Sequence, residues 1–135
     1  MENHRFGFCA ISATLLLALV PALALAAPPS GRLEGLAQHA NTDVATRVDI
    51  TGKSANIHFD APFSCDITAT YLKDDNGASL FRFNLSTNGG SFCDGLKKEI
   101  AFKPAKAKDG SAIWHISFSS KNNDWTGQLA PAGKP

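Results

Sequence analysis

At 135 residues, with 44% hydrophobic and 19% charged side chains and a formal net charge of +1, the chain has the composition of one ordinary globular domain. There is no room for a second core. The charges are uneven, with acids in excess from Ala27 to Leu80 and bases in excess from Phe81 onward, a basic run that reads as a solvated face with an anionic partner as the alternative; no aromatic residues alternate with the lysines as a single-strand nucleic-acid surface requires, so no nucleic-acid partner is expected.

Residues 1–26 carry the three zones of a secretory signal: Arg5 in a short polar start, an apolar run from Ala10 to Val20, and Ala24-Leu25-Ala26 as a small-x-small cleavage site. The expected cut follows Ala26. The apolar run is short for a hydrocarbon layer of roughly 30 Å, and Pro21 ends it, so no membrane span is expected after signal removal. Cys9 precedes the run, whereas a lipid-attachment cysteine would follow it. It leaves with the signal, and Cys65 and Cys93 remain as the expected disulfide of a periplasmic or secreted protein. In the loop-entropy account such a bridge contributes about 3.5 kcal/mol.

Residues 27–43 read as a flexible lead, Ala27-Pro28-Pro29-Ser30-Gly31, followed by a short helix. Leu33, Leu36, Ala37 and Ala40 recur at helical spacing up to Asn41; Gly35 weakens that reading, and an edge strand through Arg32-Leu33-Glu34 is the alternative. The expected β domain spans residues 44–130. Val44, Thr46, Val48 and Ile50 alternate with polar residues, Gly52-Lys53 turns the chain, and Ala55, Ile57 and Phe59 return it.

Pro62 marks a corner. Beyond it Cys65, Ile67, Ala69 and Tyr71 alternate toward a turn at Asp74-Asp75-Asn76-Gly77, and the chain comes back through Phe81, Phe83 and Leu85 to Asn88-Gly89-Gly90 and Cys93. A fifth strand is expected over Glu99 to Lys103, stopping at Pro104. Ala112, Trp114, Ile116 and Phe118 give the clearest alternation in the chain. Lys121-Asn122-Asn123-Asp124 forms a turn, Trp125, Gly127 and Leu129 a last short strand, and residues 131–135 a tail.

Six to eight short strands with turn chemistry between them predict an all-β antiparallel meander, closed as a small barrel in preference to a sandwich. Its core is expected to hold Ile57, Phe59, Ile67, Phe81, Phe83, Trp114, Ile116 and Phe118.

The catalytic templates fail one by one. There is no G-x-S-x-G, no H-E-x-x-H and no glycine-rich cradle opening a helix, and the histidines are scattered singly, so neither a metal nor a cofactor is expected. His58 and His115 form the one tempting pair, as acid and base of a small metal-free phosphodiesterase or ribonuclease, provided that both reach one substrate. Asn84-Leu85-Ser86 is a glycosylation sequon in a strand.

Binding is the better expectation. The polar loop pinned by the cystine, with Asn88, Ser91, Phe92 and Asp94, loses little entropy on meeting a partner. Lys97 and Lys98 open a basic run that continues through Lys103, Lys106 and Lys108, and Trp125 is either a contact aromatic or a core anchor at a barrel end. These residues predict an exported protein-binding module that inhibits a cell-envelope enzyme such as a cell-wall hydrolase. A glycan or small-ligand binder is the alternative.

Overall fold

The computed structural model describes residues 28–86 and 90–133. The predicted leader with Cys9, and Asn88 in the turn before the second cystine residue, lie outside the described residues. Eight strands follow in order: β1 (Gly31–His39), β2 (Thr42–Thr51), β3 (Ser54–Phe59), β4 (Cys65–Asp75), β5 (Ala78–Phe83), β6 (Leu96–Lys106), β7 (Ala112–Ser120) and β8 (Asn123–Pro131). One short helix, α1 (Ser91–Asp94), lies between β5 and β6. Each strand pairs antiparallel with the next, and β8 pairs with β1, so the sheet closes into an eight-stranded barrel.

The expected all-β barrel is therefore present, and the alternation of side chains explains it. Val44, Thr46, Val48 and Ile50 all face inward and are buried, while the intervening residues face solvent. Closure satisfies the backbone groups that an open sheet would leave on its edges. The turns follow their residues: Asn76 and Gly77 join β4 to β5, and Lys121 and Asn122 join β7 to β8, each pair with both φ angles positive as a tight hairpin requires.

Of the predicted core, Ile57, Phe59, Ile67, Phe81, Ile116 and Phe118 are buried. Phe83 and Trp114 pack against that core while half-buried. Leu33, Phe102, Ile100 and Leu129 complete an interior filled by side chains. The outside carries Arg47, Thr68, Lys103, His115 and Gln128, a polar exterior around an apolar core, which is the inverse of a lipid-facing barrel. Among the described residues no helix is long and apolar enough to cross a membrane.

Three local expectations are corrected. Residues 32–41 form no helix: they lie in β1 and its turn, so the barrel starts at Gly31 and not at Val44. The helical spacing was accidental, because Leu33 and Ala37 point inward while Leu36 is 45% exposed. The fifth strand does not stop at Pro104, which lies within β6 opposite Trp114. Pairing of β6 with β5 has ended by then, at Ser79 and Phe102, so the missing proline N–H sits where β6 has one neighbour only. Finally, β8 runs longer than expected at both ends, reaching Pro131 through its pairing with Leu33 of β1.

Candidate functional site

Cys65 opens β4 and Cys93 lies in α1; their sulfurs are bonded, with Cα atoms 6.2 Å apart. The bridge sets α1 over one end of the barrel. Phe92 enters that end: its ring stacks on Phe63 at 3.9 Å between centroids and meets Phe59 and Trp125 edge-on at 4.9 and 5.2 Å. Trp125 in turn lies parallel to Phe118 and beside His39. Phe92 and Trp125 are each 5% exposed. Neither offers a ring face to a ligand, and both serve as anchors beneath the surface.

Polar bonds then tie α1 to the far side of the barrel. The buried Ser120 hydroxyl donates to the Phe92 carbonyl at 2.7 Å, and the Lys121 amide donates to the Gly95 carbonyl at 2.9 Å. Gly95 is packed so closely that a Cβ there would come 2.6 Å from Cγ of Lys121. The helix end and the β7–β8 turn therefore form one continuous rim.

The basic pair enters the same rim through a bulge. Lys97 pairs with Ser119 and Ala101 pairs with Ser117, so β6 spends more residues than β7 over this stretch. Lys98 takes a positive φ of 58° within it. The Lys97 ammonium donates to the Asn122 side-chain oxygen, and the Ser119 hydroxyl donates to Asp124 at 2.6 Å. Where the two strands diverge, a groove of about 760 Å³ opens, lined by Lys97, Lys98, Ser117, Ser119, Asn122, Asp124 and neighbours.

The candidate residues thus divide. Ser91, Asp94, Lys97 and Lys98 are exposed and gathered at one rim, with Phe92 and Trp125 buried below it. Lys121, Asn122 and Asp124 belong to the rim as well. In the sequence they read as turn residues alone, because Gly95 and Lys97, the partners of Lys121 and Asn122, lie more than twenty positions away. Lys103, Lys106 and Lys108 stand farther along β6 and in the loop after it, up to roughly 30 Å from the rim at the rise of an extended strand.

His58 and His115 do not meet. They lie on β3 and β7, separated by four strand steps in either direction around the closed barrel, and both point outward. His58 lies between two carboxylates, its Nδ1 2.6 Å from Asp66 and its Nε2 2.8 Å from Asp60. The filled barrel stands between the two imidazoles, so no substrate touches both, and the two-histidine phosphodiesterase reading is set aside. No protein-family model, curated protein or solved structure gives a significant match to the chain.

Proposed function

We propose that this chain is an exported module of the cell envelope, periplasmic or secreted, that binds and blocks an enzyme acting there, with a cell-wall glycoside hydrolase as the most concrete target. One observation carries the reading: the rim of α1, the Lys97–Lys98 bulge and the β7–β8 turn is preorganised. The cystine, the Ser120–Phe92 and Lys121–Gly95 hydrogen bonds and the Lys97–Asn122 contact fix it before any partner arrives.

A surface already fixed loses little conformational entropy on docking, and this is what separates a tight inhibitor from a loose polar patch of equal area. Glycoside hydrolases hold a carboxylate pair at the base of a cleft. Lys98, exposed and aimed by its bulge, is the complementary cation. The oxidised bridge and the signal-like start both suit an envelope location. Binding of a neutral sugar by stacking is disfavoured, since Phe92 and Trp125 present no open ring face.

The test is peptidoglycan clearing by a panel of cell-wall hydrolases, with and without the oxidised protein. Inhibition of at least one enzyme is expected, weakened about tenfold or more by Lys98→Ala, the loss expected for a close charge pair. Failure to inhibit any of them, together with recovery of no enzyme from an envelope extract, overturns the reading.

A further inference from the structure

A second surface lies along the barrel wall below the rim, which it meets at Lys97 and Lys98. Outward side chains form registered rows across β6, β7, β8 and β1. The middle row is small and polar, Ala101 opposite Ser117, Ser117 opposite Thr126, and Thr126 opposite Gln38. The next row is taller: Lys103 opposite His115, His115 opposite Gln128, and Gln128 opposite Leu36. Short side chains between taller ones make a trough that runs across the strands.

Along it lies a hollow of about 380 Å³ bounded by Lys103, His115, Ser117, Thr126, Gln128 and Gln38. Ala101, Ser117 and Thr126 also border the groove beneath Lys97 and Lys98, so the two hollows adjoin. That extent is in the range of sites that hold small molecules or short stretches of a polymer.

We propose that this trough binds an extended acidic polysaccharide, a chain of sugar carboxylates. The charges argue for the anion at the β6 end of the trough, where Lys103 rises on one wall and Lys97 and Lys98 on the other, so that a chain laid across the strands passes between cations there; Glu99 and Asp124, on the Lys97 side, keep that attraction local to β6. The floor argues for sugar over an acidic peptide. Ser117, Thr126, Gln38 and Gln128 present hydroxyls and amides suited to sugar hydroxyls. A peptide would gain most by adding a strand to a free sheet edge, and β7 and β8, which carry most of the floor, are paired on both sides. Bound this way, the module is held at an acidic envelope or capsule surface through a site that shares Lys97 and Lys98 with the rim. This inference stands without the enzyme-blocking reading.

The experiment is calorimetric titration of the oxidised protein with oligomeric alginate as the probe, against neutral dextran and poly-glutamate at equal charge. Alginate binding is expected, lost in Ser117→Phe, which fills the floor from an exposed position, and weakened about tenfold in Lys103→Ala. Lys53→Ala, in the β2–β3 turn, should leave it unchanged. Near-ultraviolet circular dichroism checks that each variant keeps the packing around Trp114 and Trp125. Equal binding of poly-glutamate, equal loss in Lys53→Ala, or retention by folded Ser117→Phe overturns the proposal, as does no binding of alginate at all. Loss of alginate binding in a variant that still inhibits its hydrolase separates this surface from the rim.

Discussion

Gly35 and Gly127 sit on inward positions on either side of the seam where β1 meets β8, each pressed against the other strand's backbone. A Cβ on Gly35 would lie 1.9 Å from the carbonyl oxygen of Gln128, and one on Gly127 would lie 2.1 Å from that of Leu36. Both obstacles are main-chain atoms already in the β1–β8 ladder, so they have little freedom to move aside. The barrel closes here because these two residues lack side chains.

Gly35→Ala or Gly127→Ala is therefore expected to cost at least the roughly 1–3 kcal/mol of an overpacked core site. Gly52 provides the contrast: it has a positive φ of 58° but nothing within 4 Å of a Cβ, so Gly52→Ala costs about 1 kcal/mol from backbone conformation alone. Urea unfolding midpoints, with hydrogen exchange of the β1 and β8 amides, measure the order. A seam variant as stable as the parent would mean that closure tolerates a wider strand separation than the geometry allows.

The same glycine explains what the sequence concealed. In β2, β3, β4 and β7 the inward positions are marked by Val, Ile, Phe and similar residues, and the period of two is plain. In β1 the inward row is Leu33, Gly35 and Ala37, with an exposed Leu36 beside it, so the apolar signal falls at helical spacing. Phe92 misled for a related reason. It lies in a polar, turn-rich stretch that reads as surface, yet it neighbours Cys93, and burial of the bridge draws the ring inward. The Lys97–Asn122 contact and the trough depend on the register of β6 against β7 and on the bulge within it. Neither can be counted from one strand alone.

Phe92 joins stability to the rim, and Lys98 does not. Phe92→Ala removes a ring that touches Phe59, Phe63 and Trp125, and is expected to cost about 3–5 kcal/mol and free α1. Lys98→Ala removes an exposed side chain, with an expected stability change within about 0.5 kcal/mol. If the rim is the working surface, both variants lose hydrolase binding, and only Phe92→Ala lowers the urea midpoint. Full binding by Phe92→Ala would show that the anchoring of α1 is irrelevant to partner recognition.

The bridge predicts a kinetic pattern as well as a stability change. Cys65 and Cys93 are 1% and 2% exposed, so a reductant reaches them when α1 lifts or the barrel opens. The double variant Cys65→Ala/Cys93→Ala is expected to lose about 3.5 kcal/mol, from a denatured chain freed of its loop constraint. Reduction of the parent by dithiothreitol should be slow in buffer and accelerate with urea below the unfolding midpoint. A rate independent of urea would mean that the sulfurs are reached without opening.

Asp109 supplies the pH dependence whose sign can be worked out. Its Oδ1 accepts from the Ser111 hydroxyl at 2.6 Å and from the Ser111 amide at 2.9 Å, closing the turn after β6 in which Gly110 has a positive φ of 84°. The hydroxyl bond first, and then the amide bond, favour the ionised carboxyl and lower its pKa from the ordinary value. A carboxyl depressed in the folded state contributes stability that is complete above the unfolded value of about 3.9 and disappears as pH falls through the lower folded value. The side chain is fully solvated, so the effect is local. It is read best from the Ser111 amide proton, whose chemical shift should titrate below about pH 4 in the parent and stay flat in Asp109→Asn. Loop exchange rates in parent and variant should differ at neutral pH and converge in acid. If the turn is held by Gly110 and the Ala107–Ser111 backbone bond alone, the two rates are equal at every pH, and equal rates at neutral pH would establish that case.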